Sequence, residues 1–231
     1  MLKKVDLKRI FLDKDSEERE EHVIEDKIYW VKVDGETKFR LVTISQDVLA
    51  AGIGRLLGEG IINSIEELDG HTLKGSTLEF KIKGKSKSRK KTLKDLTVEK
   101  TLIFDCVKRM VKESKIWRLT GGMHAAGLFN LQGEMLYFVE DIGKVTAVDK
   151  LIGKAALDGT DLSESILVST GRIVGGIVAK TVRAGIPIVV SKSAPMYSSI
   201  EVAEKEGITL VCFARGRRMN VYTHPERIIS S

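Results

Sequence analysis

Three apolar segments of strand length in the last third of the chain constrain the fold more than any other feature. They read ILVS (166–169), IPIVVS (186–191) and ITLVCFA (208–214). Helical patterns separate them, one from Arg172 to Ala184 and one from Ser198 to Glu206. Uninterrupted apolar strands that alternate with helices are typical of a parallel sheet covered on both faces. The sequence therefore predicts an α/β domain in the second half of the chain.

The preceding residues predict antiparallel hairpins joined by helices. An Asp34-Gly35 turn lies between the strand-like runs VIEDKIYWVKV and ETKFRLVTI, and a second hairpin is expected around Gly133. TLEFKIK alternates as a strand does. Helices are expected after a capping Ser45, over 97–114, and through VTAVDKLIGKAAL.

The first residues are too charged to show any apolar pattern, so we expect a frayed N-terminal tail. The predicted division is a charged tail (1–22), a smaller β-rich subdomain with a hairpin, a helix and a basic turn (23–96), and an α/β domain (97–231). The basic turn belongs to a segment, 81–100, that contains nine Lys or Arg against Asp95 and Glu99. A solvated loop explains this charge best, and because no aromatic residues interleave to stack bases, nucleic acid is only a weak alternative.

Composition excludes several classes of protein. The hydrophobic content of 42% is ample for a core, but no apolar run approaches the roughly 18 residues of a membrane span. The start, MLKKVDLKRIFLDKDSEEREEHV, is too charged for a signal peptide, so we expect a cytoplasmic protein without membrane contact. Two cysteines, Cys106 and Cys212, exclude a disulfide framework and a metal site of four thiolates.

Each of the three apolar strands is followed by at least one cation. In an open parallel sheet, ligands bind at the carboxyl ends of the strands, where helix N-termini also present N–H groups to anions. The sequence therefore predicts a site for phosphate or diphosphate at this edge, unless some of these side chains point away. The five cations are Arg172, Lys192, Arg215, Arg217 and Arg218.

Several motifs occur in an order that resembles the formate dehydrogenase accessory sulfurtransferase family (FdhD/NarQ). They are DVLAAGIGRLLGEGII, TGGMHAAGLF, EDIGKVTAVDKLIG, LVSTGR, AGIPIVVSKSAP and GITLVCFARGRRMNVYTHPERI, and they cover about 23–228. The resemblance implies a dimeric three-layer α/β sandwich with a mixed sheet, similar to cytidine deaminases. It implies binding of the guanine dinucleotide form of the molybdenum cofactor. It also implies that the protein passes sulfur from a cysteine desulfurase to this cofactor before insertion into formate dehydrogenase.

The resemblance also implies which residues bind the cofactor, with GDP as a partial mimic. The family's binding stretch corresponds here to Phe213, Ala214, Arg215, Gly216, Arg217 and Arg218. The neighbouring strand-end positions expected to contribute are Thr170, Gly171, Arg172, Lys192, Ser193, Gly121, Gly122 and His124.

The sequence departs from the family pattern at two places. The family carries a Cys-x-x-Cys loop after the strand that here reads TLEFKIK, and this interval contains no cysteine. Cys106 is then the only weak candidate for a catalytic thiol, and its place on the apolar stripe of a helix favours a structural role. The second departure is Lys144-Val145-Thr146, where the family pattern reads Arg-His-Asn. Both departures concern sulfur transfer and leave the cofactor-binding edge intact.

His124 poses a separate question, because glycines precede it and small residues follow. It could be a catalytic base, a metal ligand or part of a tight turn. A zinc deaminase needs His-x-Glu and a distant Pro-Cys-x-x-Cys, and here Ala125 and Ala126 follow the histidine, so we expect no metal. Two roles remain open, a hydrogen bond to a phosphate or pterin of the ligand and a bond to the local backbone.

Two functions are compatible with these features. The first is an accessory protein that binds the molybdenum cofactor and supplies or assists its sulfuration. The second is a module that binds a guanine nucleotide or molybdopterin without chemistry. The family resemblance favours the first, and the absent cysteine loop favours the second.

Overall fold

The structure, a computed structural model, describes residues 1–84 and 96–229. Its strands are β1 (Leu2–Arg9), β2 (Glu17–Ile24), β3 (Lys27–Val33), β4 (Glu36–Thr43), β5 (Leu68–Lys74), β6 (Thr77–Ile82), β7 (Val98–Glu99), β8 (His124–Asn130), β9 (Met135–Asp141), β10 (Ser165–Ser169), β11 (Ile188–Ser191), β12 (Thr209–Arg215), β13 (Arg218–Thr223) and β14 (Ile228–Ile229). Its helices are α1 (Val48–Glu59), α2 (Lys100–Glu113), α3 (Lys115–Thr120), α4 (Lys144–Leu157), α5 (Gly175–Ala184) and α6 (Tyr197–Glu206), with 3₁₀ turns at Ile65–Glu67 and Pro225–Arg227. The α/β class predicted from the sequence is confirmed.

A mixed six-stranded sheet forms the centre of the second half of the chain. Its strand order is β13-β12-β11-β10-β8-β9. The three apolar segments form its parallel strands β10, β11 and β12, as predicted. Strand β8 runs antiparallel to β10, β9 antiparallel to β8, and β13 antiparallel to β12.

Helices cover both faces of this sheet, which gives the predicted three layers. Alternate strand residues point to opposite sides. Leu167 and Val189 pack in one cluster with Leu151 of α4, whereas Ile166 packs in a second cluster with Met110 of α2. Burial on both faces explains why these strands are apolar throughout. The similarity to cytidine deaminases stays a prediction.

A second sheet, of order β4-β3-β6-β5, forms the N-terminal β-rich unit. The predicted hairpin at Asp34-Gly35 is confirmed, since β3 and β4 pair antiparallel. Helix α1 packs on this sheet through a shared apolar cluster. The prediction that Ser45 caps α1 is wrong. The helix begins two residues later than that cap implies, after Asp47, which adopts a left-handed conformation (φ 56°).

Helices α1 and α4 cross with their backbones in contact. A side chain at Gly54 of α1 would collide with the carbonyl of Asp149, and one at Gly153 of α4 would collide with the carbonyl of Ala50. Glycine is required at both positions because only the absence of Cβ permits so close an approach. The crossing fixes the N-terminal unit to the α/β layers.

Buried charges reinforce this junction. Lys150 Nζ lies 2.7 Å from Asp141 Oδ2, and both side chains are inaccessible to solvent. Thr43 of β4 donates its hydroxyl to the same carboxylate oxygen. Nearby, Lys180 Nζ lies 2.8 Å from Asp149 Oδ1. Burial lowers the pKa of Lys150 and raises that of Asp149, while the paired opposite charge counteracts the change in each case.

Residues 1–22 are not a frayed tail, which corrects the prediction for this segment. They form most of a hairpin in which β1 and β2 pair from Leu2 opposite Ile24 to Arg9 opposite Glu17. Oppositely charged side chains interact across the strands, as in the diagonal 2.6 Å pair between Lys4 and Glu20. Such cross-strand pairs stabilise a hairpin that lacks an apolar pattern.

The remaining predictions on organisation concern the domain division and the basic turn. Most of the basic turn, 85–95, lies outside the described residues. The division into 1–22, 23–96 and 97–231 stays a prediction. In the part of the chain that the structure describes, no helix is long and apolar enough to cross a membrane.

Candidate functional site

The site lies at the edge of the six-stranded sheet where the parallel strands end. Strands β10, β11 and β12 reach this edge with their carboxyl ends. Strand β8 starts there because it runs antiparallel to β10, which places His124 beside Thr170. Strand β9 ends there, with Asp141 opposite His124. Loops from five strands therefore meet at one edge.

A cavity of about 700 Å³ occupies this edge. Eight of the residues predicted to bind the cofactor line it: Gly121, Gly122, His124, Thr170, Lys192, Ser193, Phe213 and Arg215. The other lining residues are Val111, Ser114, Trp117, Met123, Ala125, Ile142 and Ala194. A second cavity, of about 400 Å³, lies between α1, α4, α5 and α6 and contains none of the predicted residues.

A break in β12 brings Phe213 and Arg215 to the cavity. The pairing of β12 with β13 is irregular between Cys212 and Arg215, and Phe213 adopts a left-handed backbone conformation (φ 52°). Such an irregularity redirects side chains at the end of a strand. The Arg215 guanidinium lies 5.5 Å from the centre of the Phe213 ring.

Side-chain hydrogen bonds hold the loops after β10 and β11. The Ser191 hydroxyl donates to the carbonyl of Gly171 (2.7 Å) and accepts the N–H of Ser193 (2.9 Å). The Thr170 hydroxyl accepts the N–H of Ala125 at 3.0 Å. These bonds tie three loops together, so the cavity wall is preorganised.

His124 is held as a neutral imidazole. Burial lowers its pKa, and the positive charges of Lys144 and Arg172 lower it further, against an opposing effect of Asp141. Its Nδ1 lies 3.5 Å from the Thr170 hydroxyl. At neutral pH the ring therefore has one N–H donor and one acceptor nitrogen, of which Nδ1 faces Thr170.

The other predicted residues lie near the cavity without lining it. The side chain of Lys144 packs over Gly171. Arg172 is close enough to affect His124, and Ala214 is buried in the core. Gly216 and Arg217 form the turn between β12 and β13, and Arg218 is the first residue of β13. Of the five strand-end cations, Lys192 and Arg215 line the cavity. Roles in binding stay predictions for all of them.

Neither thiol of the chain is poised for chemistry. Cys106 and Cys212 are both buried, and burial raises the pKa of each to about 12. A sulfur carrier needs an accessible thiolate. Cys106 packs on the apolar face of α2 beside Ile103 and Met110, as a structural residue does. Among residues 1–84 and 96–229, no three His, Cys, Asp or Glu side chains are grouped to hold a metal ion.

Comparison with known proteins agrees with this architecture. The model of the FdhD/NarQ family matches residues 80–229. The sulfur carrier protein FdhD of Methanothermobacter thermautotrophicus is 33% identical over 230 residues, covering 90% of this chain and 92% of the relative. Protein FdhD of Methanocaldococcus jannaschii is 35% identical over 228 residues, covering 96% and 97%.

A solved structure extends the similarity to the whole fold. The crystal structure of a protein assigned as a formate dehydrogenase accessory protein from Desulfotalea psychrophila superposes with a TM-score of 0.87 at 26% identity, covering 99% of each chain. Sequence matches to named relatives and a fold match over the full length therefore agree. This chain belongs to the FdhD/NarQ family of formate dehydrogenase accessory proteins and sulfur carriers.

Proposed function

We propose that this protein binds the guanine dinucleotide form of the molybdenum cofactor in the strand-end cavity and assists its sulfuration before insertion into formate dehydrogenase. The observation that carries the proposal is the convergence of Lys192, Arg215, His124 and Thr170 on one cavity. The names of the similar proteins, sulfur carrier and formate dehydrogenase accessory protein, support the physiological role.

The chemistry of the lining residues fits a diphosphate. Lys192 and Arg215 provide charge-assisted donors, and a His124 N–H adds a neutral one. The volume of about 700 Å³ lies within the usual range for small-molecule sites. A nucleoside diphosphate such as GDP is therefore a suitable probe for the cavity.

The buried thiols limit what this chain can do in sulfur transfer. Cys106 and Cys212 cannot accept sulfur as thiolates without exposing the core. We infer that a cysteine desulfurase supplies the sulfur and that this protein holds the acceptor molecule. The second candidate, a cofactor-binding module without sulfur transfer, is favoured by the same observation. In both cases the protein acts in the cytoplasm as a homodimer.

Calorimetric titration with GDP tests the binding site. Replacing both Lys192 and Arg215 by Ala should weaken binding by about 2–4 kcal/mol, or roughly 30- to 1,000-fold in Kd, because two charge-assisted bonds are lost. The comparison is Arg217→Ala with Arg218→Ala, which removes the same charge from two predicted binding residues that do not line the cavity and should cost less. Unchanged affinity in the first variant would place the ligand elsewhere.

Transfer of labelled sulfur separates the two candidate functions. Incubation with a desulfurase and labelled cysteine should leave no persulfide on this protein, and the label should reach the bound cofactor if sulfuration is assisted. Label found on Cys106 would restore a thiol-based sulfur carrier. Because no thiol of this chain is accessible, we expect the unmodified chain not to restore formate dehydrogenase activity to a bacterium whose own, deleted family member passes sulfur through a cysteine loop.

A further inference from the structure

Trp117 is the largest side chain in the cavity wall, and the sequence patterns did not select it. It lines the cavity together with Met123 and Ile142 on one hand and the cations Lys192 and Arg215 on the other. Its side chain is 47% exposed. An aromatic ring that stands half exposed in a cavity lined by cations offers apolar surface to a ligand that carries both an apolar and an anionic part.

A buried carboxylate holds Trp117 in place. Glu140, at the end of β9, is 8% exposed. Its Oε1 accepts the backbone N–H of Trp117 at 2.8 Å, and its Oε2 accepts that of Ile116 at 3.0 Å. A six-residue helix such as α3 is too short to persist by itself in water. The carboxylate therefore fixes the backbone from which the indole projects.

The same helix is connected to the histidine segment of the site. The Thr120 hydroxyl donates to the carbonyl of Ile116 (2.8 Å) and accepts the N–H of Gly122 (3.2 Å). Gly121 ends α3 in a left-handed conformation (φ 69°), which a glycine adopts without strain. The chain then enters β8 at His124. The indole and the imidazole thus belong to one tightly bonded segment of the wall.

We propose that Trp117 stacks against the planar bicyclic ring of the ligand, a purine or a pteridine, while Lys192 and Arg215 hold its diphosphate. The proposal rests on the proposed function, because it assigns the ring-binding part of the same cavity. Stacking on an aromatic side chain accepts any flat heterocycle, and its strength depends on ring overlap more than on hydrogen bonds. Trp117 is therefore a specificity-determining residue that selects ring-bearing diphosphates over inorganic diphosphate.

Replacement of Trp117 tests this assignment. Trp117→Ala should weaken GDP binding roughly 5- to 100-fold and leave binding of inorganic diphosphate within about twofold, both measured by calorimetry. Trp117→Phe, which keeps a ring, should recover much of the GDP affinity. Leu119→Ala is the matched control, because Leu119 is a large exposed side chain on the same helix that does not line the cavity. A 6-hydroxymethylpterin diphosphate titration distinguishes a pteridine from a purine.

Fluorescence gives a direct readout of stacking. The chain has two tryptophans, and Trp30 lies on β3 in the N-terminal unit. In Trp30→Phe, all tryptophan emission comes from Trp117, and saturation with GDP should quench it, whereas saturation with inorganic diphosphate should not. The full-length protein is used throughout, and circular dichroism confirms that each variant is folded.

The outcomes are distinct. A selective loss of affinity for GDP or for the pterin compound in Trp117→Ala supports the proposal and identifies the ring. Equal changes for GDP and inorganic diphosphate, or no change in either, would overturn stacking while leaving the diphosphate site of the proposed function intact. Failure of the wild-type protein to bind any of the three compounds would overturn both.

Discussion

The Lys150→Met variant provides a sharp test of how the buried charges stabilise the fold. Methionine keeps most of the side-chain volume and removes the ammonium group that lies 2.7 Å from Asp141. Asp141 would remain buried without the ion-pair partner that Lys150 provides. Breaking a buried pair in this way costs about 3–5 kcal/mol. Two donors remain on the carboxylate, the Thr43 hydroxyl and the Gly143 N–H, so we expect about 3 kcal/mol.

Thermal and urea denaturation measure this loss. For a protein of 231 residues, about 3 kcal/mol corresponds to a decrease in Tm of roughly 6–12 °C. The matched control is Lys154→Met, one turn further along α4. Lys154 pairs with Asp47 at 3.1 Å, but their side chains are 31% and 25% exposed, so its loss should cost less than about 1 kcal/mol.

A comparison of the two variants decides the matter. If Lys150→Met destabilises the protein no more than Lys154→Met does, the reasoning about an orphaned buried charge is wrong. A rescue adds a second check. Adding Asp141→Asn to Lys150→Met removes the orphaned negative charge and should recover part of the lost stability.

Three further predictions concern single residues. Because the pKa of His124 is lowered in the folded state, the unfolded state binds a proton first as pH falls. The stabilising contribution of neutral His124 is therefore present above pH about 6.5 and lost below it. The wild type should therefore lose more unfolding free energy than His124→Gln between pH about 7 and 5 in urea melts. Cys106→Ala should cost on the order of 1 kcal/mol and leave GDP affinity unchanged, and rapid labelling of native Cys106 by a thiol reagent would contradict its burial. Gly54→Ala should destabilise the protein by about 2 kcal/mol or more, because the added Cβ collides with the backbone of Asp149. Gly176→Ala places its Cβ in open space and should be neutral or stabilising by up to about 1 kcal/mol. Similar melting temperatures of the two variants would refute this contrast.

The sequence predicted the α/β layers because their signals are local. The strands β10, β11 and β12 are buried on both faces, so each is visible as an apolar run. The hairpin of residues 1–24 was missed because its pairing consists of opposite charges on facing strands, a pattern that composition alone presents as a solvated tail. Helix α3 was missed because it has six residues and depends on Glu140, 24 positions from Ile116.

The sequence predicted the position of the site better than the residues that line it. The rule that ligands bind at the carboxyl ends of parallel strands placed the cations at the correct edge. Which cations line the cavity depends on the irregular end of β12 at Phe213, and no sequence pattern encodes that geometry. Trp117 lines the cavity through a contact between α3 and β9 that is distant in sequence.

The crossing of α1 and α4 has a consequence for the order in which the chain folds during synthesis. Eighty-four residues separate the end of α1 at Glu59 from the start of α4 at Lys144. At about 5–20 residues per second, a ribosome needs roughly 4–17 s to make them. During that time, the surface of α1 around Gly54 has no α4 to pack against. The nascent N-terminal unit therefore exposes this surface of α1 until more than half of the protein has been made.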